Sequence, residues 1–358
     1  MGRYFLTGYL SGILWIAQTI YDLAVGSWML LVIAMPINWV FPRIYRKIVD
    51  WSVSLWVNST AEINQLMGTK FFYYSKERHF NEKCMIIMNH KNELDWFYYF
   101  NFSSTFQRPG LMKIALKKPL RQVPFAGWAC QLSCYLFLDR KWTVDKPRIE
   151  NYFKYYSALQ YPIQLLIYCE GTNFCKSSKS SSDRYALKHN LPIYNYVLHP
   201  RVTGFTFIYN LLSSSKQPLI DSVYDMTVGY VGEAMDWTDL ISGNWIKEVH
   251  MVIEKFSVHT LPKTEEELEN WVKDRWAKKE KLLEGFYTHG SFPAEYTRLE
   301  IPKRRFGLSL IAFKMLILFA SAVLFASRVA KILFVVHVFA GIILSKYGLD
   351  DIIVKNTF

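Results

Sequence analysis

Residues 8–41 carry one formal charge, Asp22. A run this apolar must be buried in protein or in lipid. As one helix, rising roughly 1.5 Å per residue, it would be about 50 Å long, against a hydrocarbon core of about 30 Å. The length therefore predicts a helical hairpin bent near Asp22 to Gly26, or one span followed by an interfacial helix. The run outlasts the apolar part of a cleaved signal peptide, about 7–15 residues. Asp22 is either a functional intramembrane acid or part of an interfacial turn. A second apolar run, 306–325, has 20 residues and one charge, Lys314. Arg328 and Lys331 interrupt it before the short run 332–344. The two runs predict a second hairpin whose last leg is short enough to be re-entrant. Lys303-Arg304-Arg305 before this hairpin, and Arg43, Arg46 and Lys47 after the first run, predict cytosolic flanks. The chain thus divides into N-terminal membrane and interfacial helices (1–66), a folded domain (67–300) and a C-terminal membrane hairpin (301–358).

The middle of the chain alternates between two periods. Residues 71–74, 85–88, 113–116, 135–138 and 164–168 read as short strands, and 44–68, 96–102 and 146–161 as helices. That alternation implies βαβ units. Residues 176–183 are polar and serine-rich and read as a loop. Residues 225–230 and 248–258 alternate like strands with one wet face. Thr264-Glu265-Glu266-Glu267 is a capping box that opens a charged helix ending near Gly285, which reads as a solvated surface element. The fold class expected is α/β: a mixed sheet with helices, flanked by N- and C-terminal transmembrane helices.

Polar residues gather where the apolar strands stop. After 85–88 comes Asn89-His90-Lys91-Asn92-Glu93-Leu94-Asp95-Trp96. A carboxylate can accept the Nδ1 proton of an imidazole and fix its tautomer, leaving Nε2 free to take a proton from a hydroxyl. No serine or cysteine nucleophile is needed if that hydroxyl belongs to the substrate. Five steps along a straight helix put two residues about 140° apart, so His90 belongs in the loop and Asp95 in the helix start, turned back. The bland alternative for His90 is a strand-end histidine held by a backbone carbonyl. Three further runs end likewise: 135–138 before Asp139-Arg140, 165–168 before Glu170-Gly171-Thr172, and 196–198 before His199-Pro200-Arg201. Four such ends in order suit a site at the carboxyl edge of an α/β sheet.

This order resembles the glycerolipid acyltransferase family, the 1-acylglycerol-3-phosphate O-acyltransferase or PlsC-like proteins. His90 and Asp95 match its NHxxxxDW block, Arg140 the arginine of its second block, and Glu170-Gly171-Thr172 its EGT block. The fourth block is 198–206, LHPRVTGFT. The match is closer to the lysocardiolipin and lysophosphatidylinositol acyltransferase branch, and runs from about Trp28 to the C-terminus. One departure is Asn173, where the wider family's third block usually has arginine. The resemblance implies transfer of an acyl group from acyl-CoA, a co-substrate rather than a cofactor, to the free hydroxyl of a lysophospholipid. His90 would be the general base and Asp95 its orienting group, and Arg140 would hold the acceptor's phosphate. Glu170, Gly171 and Thr172 would bind the acceptor, and the home would be the endoplasmic reticulum membrane in a multi-pass form. The structural alternatives are an internally paired carboxylate at Glu170 and a surface ion pair at Arg140. Lys113, Lys117 and Lys118 could meet coenzyme A phosphates or form a solvated basic face.

The formal charge, 42 − 30 = +12, and an aromatic content of 17% fit a lipid interface with anionic headgroups. Nucleic acid is not expected, since no zinc-ligand spacing or helix-turn-helix occurs. The five cysteines, at 84, 130, 134, 169 and 175, lack any CxxC, which speaks against a disulfide framework or a metal site. The sequons at Asn58 and Asn101 would go unused in a cytosolic domain. A lipase would need G-x-S-x-G, which the chain lacks. A membrane phosphatase would resemble S-R-x5-H, yet eight residues separate Arg328 from His337. A non-catalytic scaffold would be expected to lose the His/Asp pair. Headgroup, acyl length and sn position depend on pocket shape rather than on these motifs.

Overall fold

The computed structural model describes residues 8–213, 218–232, 236–301 and 307–355. Helix α1 (Tyr9–Met29), a π turn (Leu30–Ala34) and α2 (Met35–Asn38) form one continuous rod, Tyr9–Asn38. The bend expected at 22–26 is absent. Asp22 does not need water there, because it accepts from Gln18 Nε2 at 2.8 Å and pairs with Lys314. The excess length is used inside the protein. Trp15 packs edge-on against Phe97 and Trp245, at 5.2 and 5.7 Å. A β-carbon on Gly12 would lie 2.2 Å from the Ile241 carbonyl oxygen, so only glycine permits this approach. The first turns of α1 therefore dock on the folded domain.

Helix α3 (Pro42–Leu66) buries Tyr45, Val49, Val53, Val57 and Ala61, one face at four-residue spacing. Arg46 is on that buried face too. Its guanidinium donates to the carbonyls of Leu132 and Ser133, at 2.6 and 3.1 Å, and so caps another helix instead of flanking the membrane.

Strand β1 (Lys70–Ser75) and β2 (Cys84–Met88) lead to α4 (Asp95–Phe106). Then come β3 (Met112–Lys117), α5 (Ala126–Leu132), β4 (Leu136–Leu138), α6 (Trp142–Ala158) and β5 (Gln164–Ile167). They are followed by α7 (Lys176–Lys188), α8 (Val202–Ser213), β6 (Ser222–Val231), α9 (Trp237–Ile241), β7 (Glu248–Ser257) and α10 (Glu265–His289). The sheet order is β1-β7-β6-β2-β5-β3-β4. Strands β6, β2, β5, β3 and β4 run parallel, with Ile86 opposite both Leu166 and Tyr224. β7 runs against β6, and β1 follows β7.

Several sequence expectations are corrected. β6 has no wet face along 225–230, because it is central and covered on both sides. Tyr224 and Tyr230 turn towards Phe80 and Tyr98, whereas a β-carbon on Gly229 would meet the Phe286 ring of α10 at 2.8 Å. Residues 196–198 are not a strand. The amides of Asn195, Tyr196 and Val197 donate to the Glu280 carboxylate at 2.5, 2.9 and 3.1 Å, so they cannot join a ladder. Residues 176–183 are the start of α7, not a loop. Cys175 and Ser178 cap its first turn reciprocally, and Lys179 pairs with Asp183 one turn on. Helix α10 begins where Thr264 accepts from the Glu267 amide and ends at the left-handed Gly290. It is not merely solvated: Leu268, Val272, Trp276, Lys279, Leu283 and Phe286 are buried against the sheet.

At the C-terminus, α11 (Leu308–Ala326) and α12 (Arg328–Tyr347) form the hairpin, with both legs long and apolar enough to cross a membrane. The second leg has 20 residues and exceeds the short run read from the sequence. A final helix, α13 (Leu349–Lys355), is pinned to the domain by Asp350, which pairs with Arg121 and accepts from Tyr152. Lys303-Arg304-Arg305 and Phe306 lie outside the described residues.

Candidate active site

The carboxyl edge of the parallel strands gathers the site. At the end of β2, the Asn89 amide acts as an extra backbone rung: Nδ2 donates to the Val228 carbonyl at 3.1 Å and Oδ1 accepts from the Val228 amide at 2.8 Å. This locks the loop that follows. His90 is the next residue. Its Nδ1 lies 2.8 Å from Asp95 Oδ2. Asp95 is fully buried and is the first residue of α4, where the helix dipole favours a carboxylate. It also accepts from the Asn92 amide at 3.1 Å and from the Tyr230 hydroxyl at 2.5 Å. A carboxylate with these donors can only accept from Nδ1, so the free nitrogen of His90 is Nε2. The His90 ring stacks on Tyr168, with centroids 4.1 Å apart.

Beneath the loop sits Glu170, 3% exposed. Its Oε1 accepts from the His90 amide at 3.2 Å and from Trp276 Nε1 at 3.1 Å. Burial outweighs these bonds and pushes the Glu170 carboxyl up to about 7. Gly171 turns with φ 73°, and its carbonyl accepts from Arg140. Thr172 and Asn173 follow, half-buried. Of the three lysines, Lys113 is buried against Asp50 at 3.6 Å, Lys118 pairs with Asp139 at 2.5 Å, and Lys117 is exposed. Among the described residues no cluster of metal-ligating side chains occurs.

A cavity of about 670 Å³ opens beside His90. It runs past Trp96, Phe100 and Asn173 and continues between α1, α3 and α11, lined there by Trp15, Gly26, Trp56 and Phe313. Its size is that of a pocket for one small ligand, and its walls are mostly apolar. The arrangement offers a base with a fixed tautomer on a greasy channel, and two arginines, Arg140 and Arg201, lie against Gly171, the residue after Glu170. Sequence reasoning missed Tyr230 and Trp276, which reach the site from distant segments that no local motif marks, and gave no role to Tyr168, which ends the run before Glu170.

A family model described as Acyltransferase matches residues 70–230, and one described as Acyltransferase C-terminus matches 239–314. Lysocardiolipin acyltransferase 1 of Gallus gallus is 35% identical over 292 residues, 81% of this chain and 76% of that protein. The chain belongs to the PlsC-like acyltransferase family. It is therefore an acyltransferase of lipid metabolism. Lysophosphatidylinositol acyltransferase 10 of Caenorhabditis elegans is 30% identical, covering 85% of this chain and 82% of its own. A probable 1-acyl-sn-glycerol-3-phosphate acyltransferase 5 of Arabidopsis thaliana is 29% identical over 73% of this chain. The crystal structure of the acyltransferase PlsC from Thermotoga maritima aligns over 75% of this chain and 96% of its own, with 13% identity and a TM-score of 0.44. Three helices, Tyr9–Asn38, Leu308–Ala326 and Arg328–Tyr347, are long and apolar enough to cross a membrane.

Proposed function

We propose that this acyltransferase moves an acyl group from acyl-CoA to the free hydroxyl of an anionic lysophospholipid, lysophosphatidylinositol or lysocardiolipin, in phospholipid remodelling. The observation that carries the reading is the oriented His90–Asp95 pair at the mouth of an apolar channel. His90 Nε2 takes the hydroxyl proton as the lysolipid oxygen attacks the thioester carbonyl. The tetrahedral adduct expels the coenzyme A thiolate, and the His90 imidazolium returns the proton to that sulfur. Asp95 stabilises the imidazolium in between, and no acyl-enzyme forms. Arg140 holds the acceptor's phosphate beside the Glu170–Thr172 turn, and the acyl chain lies in the channel. The names of two relatives, with the net charge of +12, support an anionic acceptor. The endoplasmic reticulum membrane is the proposed location, with the chain crossing more than once.

A second reading, 1-acylglycerol-3-phosphate acylation in phosphatidic acid synthesis, is favoured by the plant relative's name. Thiol release from acyl-CoA by the purified full chain tests the chemistry. It should depend on added lysolipid and fall about 10²–10⁴-fold in His90→Ala. Near-normal turnover in that variant would sink the mechanism. A competition among mixed lysolipids separates the two acceptors, and preference for lysophosphatidylcholine would overturn both.

A further inference from the structure

Two guanidinium groups meet over the Gly171 turn, and the reaction proposed above uses only one of them. Arg140 follows β4 with φ 62°, a left-handed backbone that a non-glycine residue seldom adopts. From there its Nη2 donates to the Gly171 carbonyl. Arg201 belongs to a different segment, the loop before α8, and its amide donates to the Cys169 carbonyl at 2.7 Å. Its side chain lies on Gly171 so closely that a β-carbon there would be 3.2 Å from Cδ and 3.3 Å from Nε. Gly171 therefore serves twice: it takes the positive φ, and it leaves room for the second arginine.

Three arginines of the fold are neutralised: Arg121 by Asp350, Arg148 by Asp139, and Arg275 by Asp225. Among the described residues, Arg140 and Arg201 have no such carboxylate. Burial, and then the charge of Arg201, lower the affinity of Arg140 for its own proton. Two exposed cations held side by side repel each other, and strained backbone holds one of them there. That is the arrangement an anion with several oxygens would relieve, since each planar fork can donate two parallel bonds. Asn173, where the family's third block usually has arginine, lines the channel and is neutral.

The geometry points to Arg201 as the second guanidinium of a phosphate clamp with Arg140, receiving the phosphate ester of a substrate. The inference rests on the acyl-transfer reading for the identity of that substrate, either the lysolipid headgroup or coenzyme A. Arg201 would then supply, from another loop, the charge that Asn173 leaves out of the third block.

The test uses the full chain in detergent micelles, with Arg140→Gln, Arg201→Gln and the double variant. Each single change should raise the KM for lysophosphatidylinositol about tenfold to a hundredfold, the loss of a charged hydrogen-bonding partner. The double variant should lose less than the product of the two, because both arginines hold one group. Arg201→Lys should recover only part, since an ammonium cannot present a planar fork. If the rise falls on acyl-CoA instead, the clamp stands and the phosphate is the donor's. A readout free of turnover comes from inorganic phosphate, which should raise the unfolding temperature of the wild type and not of Arg201→Gln. If both KM values stay put and phosphate protects the two proteins equally, the clamp is wrong. If the wild type acylates no lysolipid, the functional reading fails, and the phosphate comparison still judges the clamp.

Discussion

His90 and Asp95 are five residues apart in sequence, yet what fixes their geometry comes from far away. Tyr230 donates to Asp95 across 135 positions of sequence, from the end of β6. Its hydroxyl is buried, and together with the Asn92 amide it holds the carboxylate in the plane that His90 meets. Tyr230→Phe keeps the ring packed on Tyr98 and removes one donor. Leaving that buried acceptor short of a partner costs about 1–3 kcal/mol, roughly five- to 150-fold. We expect the loss in kcat rather than in the KM for either substrate. An unchanged kcat would make Tyr230 a packing residue. The His/Asp pair was legible because a loop and the next helix turn place such neighbours together. Tyr230 became a partner only through strand order, which short motifs do not record, whereas Tyr168 and Arg201 stood in the strand-end runs that the sequence marked.

Helix α10 shows how an element can be misread by its surface. Its charges suggested a solvated rod, yet its inner face carries Trp276 and Lys279, the latter paired with Asp225 inside the sheet layer. Trp276 shares one oxygen of Glu170 with the His90 amide, so the loop that bears the base leans on α10. Burial raises the Glu170 carboxyl from 4.5 to about 7. The folded state then binds that proton more tightly than the unfolded chain does. The contribution to stability is full below about pH 4.5, shrinks as the pH rises, and is lost above about pH 7. Its ceiling is about 3 kcal/mol. In Glu170→Gln this term disappears while an acceptor remains for both donors. We expect the wild type's unfolding temperature, measured against that variant, to fall between about pH 4.5 and 7. Parallel curves would show that Glu170 does not titrate there. The strands and most helices were visible from periodicity. Helix α7 was hidden by serines that read as loop residues, and 196–198 looked like a strand because nothing local announces Glu280.

At the scale of the whole molecule, the long apolar helices are part of the folded domain's own architecture. The rod Tyr9–Asn38 docks on the domain at Gly12 and Trp15, and α11 closes against it through the Asp22–Lys314 pair. That pair lies within apolar helices, where each charge needs the other, and breaking one side is costly. The channel runs between these helices, so they form the wall for whatever chain enters beside His90. Apolar length was legible in the sequence but this shared wall was not, since which faces meet depends on packing. Gly26 sits in the channel lining, and beyond the nearby backbone of its own helix nothing lies within 4 Å of where its β-carbon would be. From Trp15 to Gly26 the helix climbs about 16 Å. Gly26→Leu should therefore keep the helix, gain its propensity and fill the far part of the channel. If the acyl chain occupies that space, long-chain acyl-CoA should lose turnover about tenfold or more while short-chain acyl-CoA keeps it, since extra methylenes then have no room. The measurement is kcat/KM across a series of saturated acyl-CoA lengths for both proteins. A uniform drop at every length would mean the substitution disturbs packing. An unchanged series would mean the chain leaves His90 by another route, into the bilayer itself.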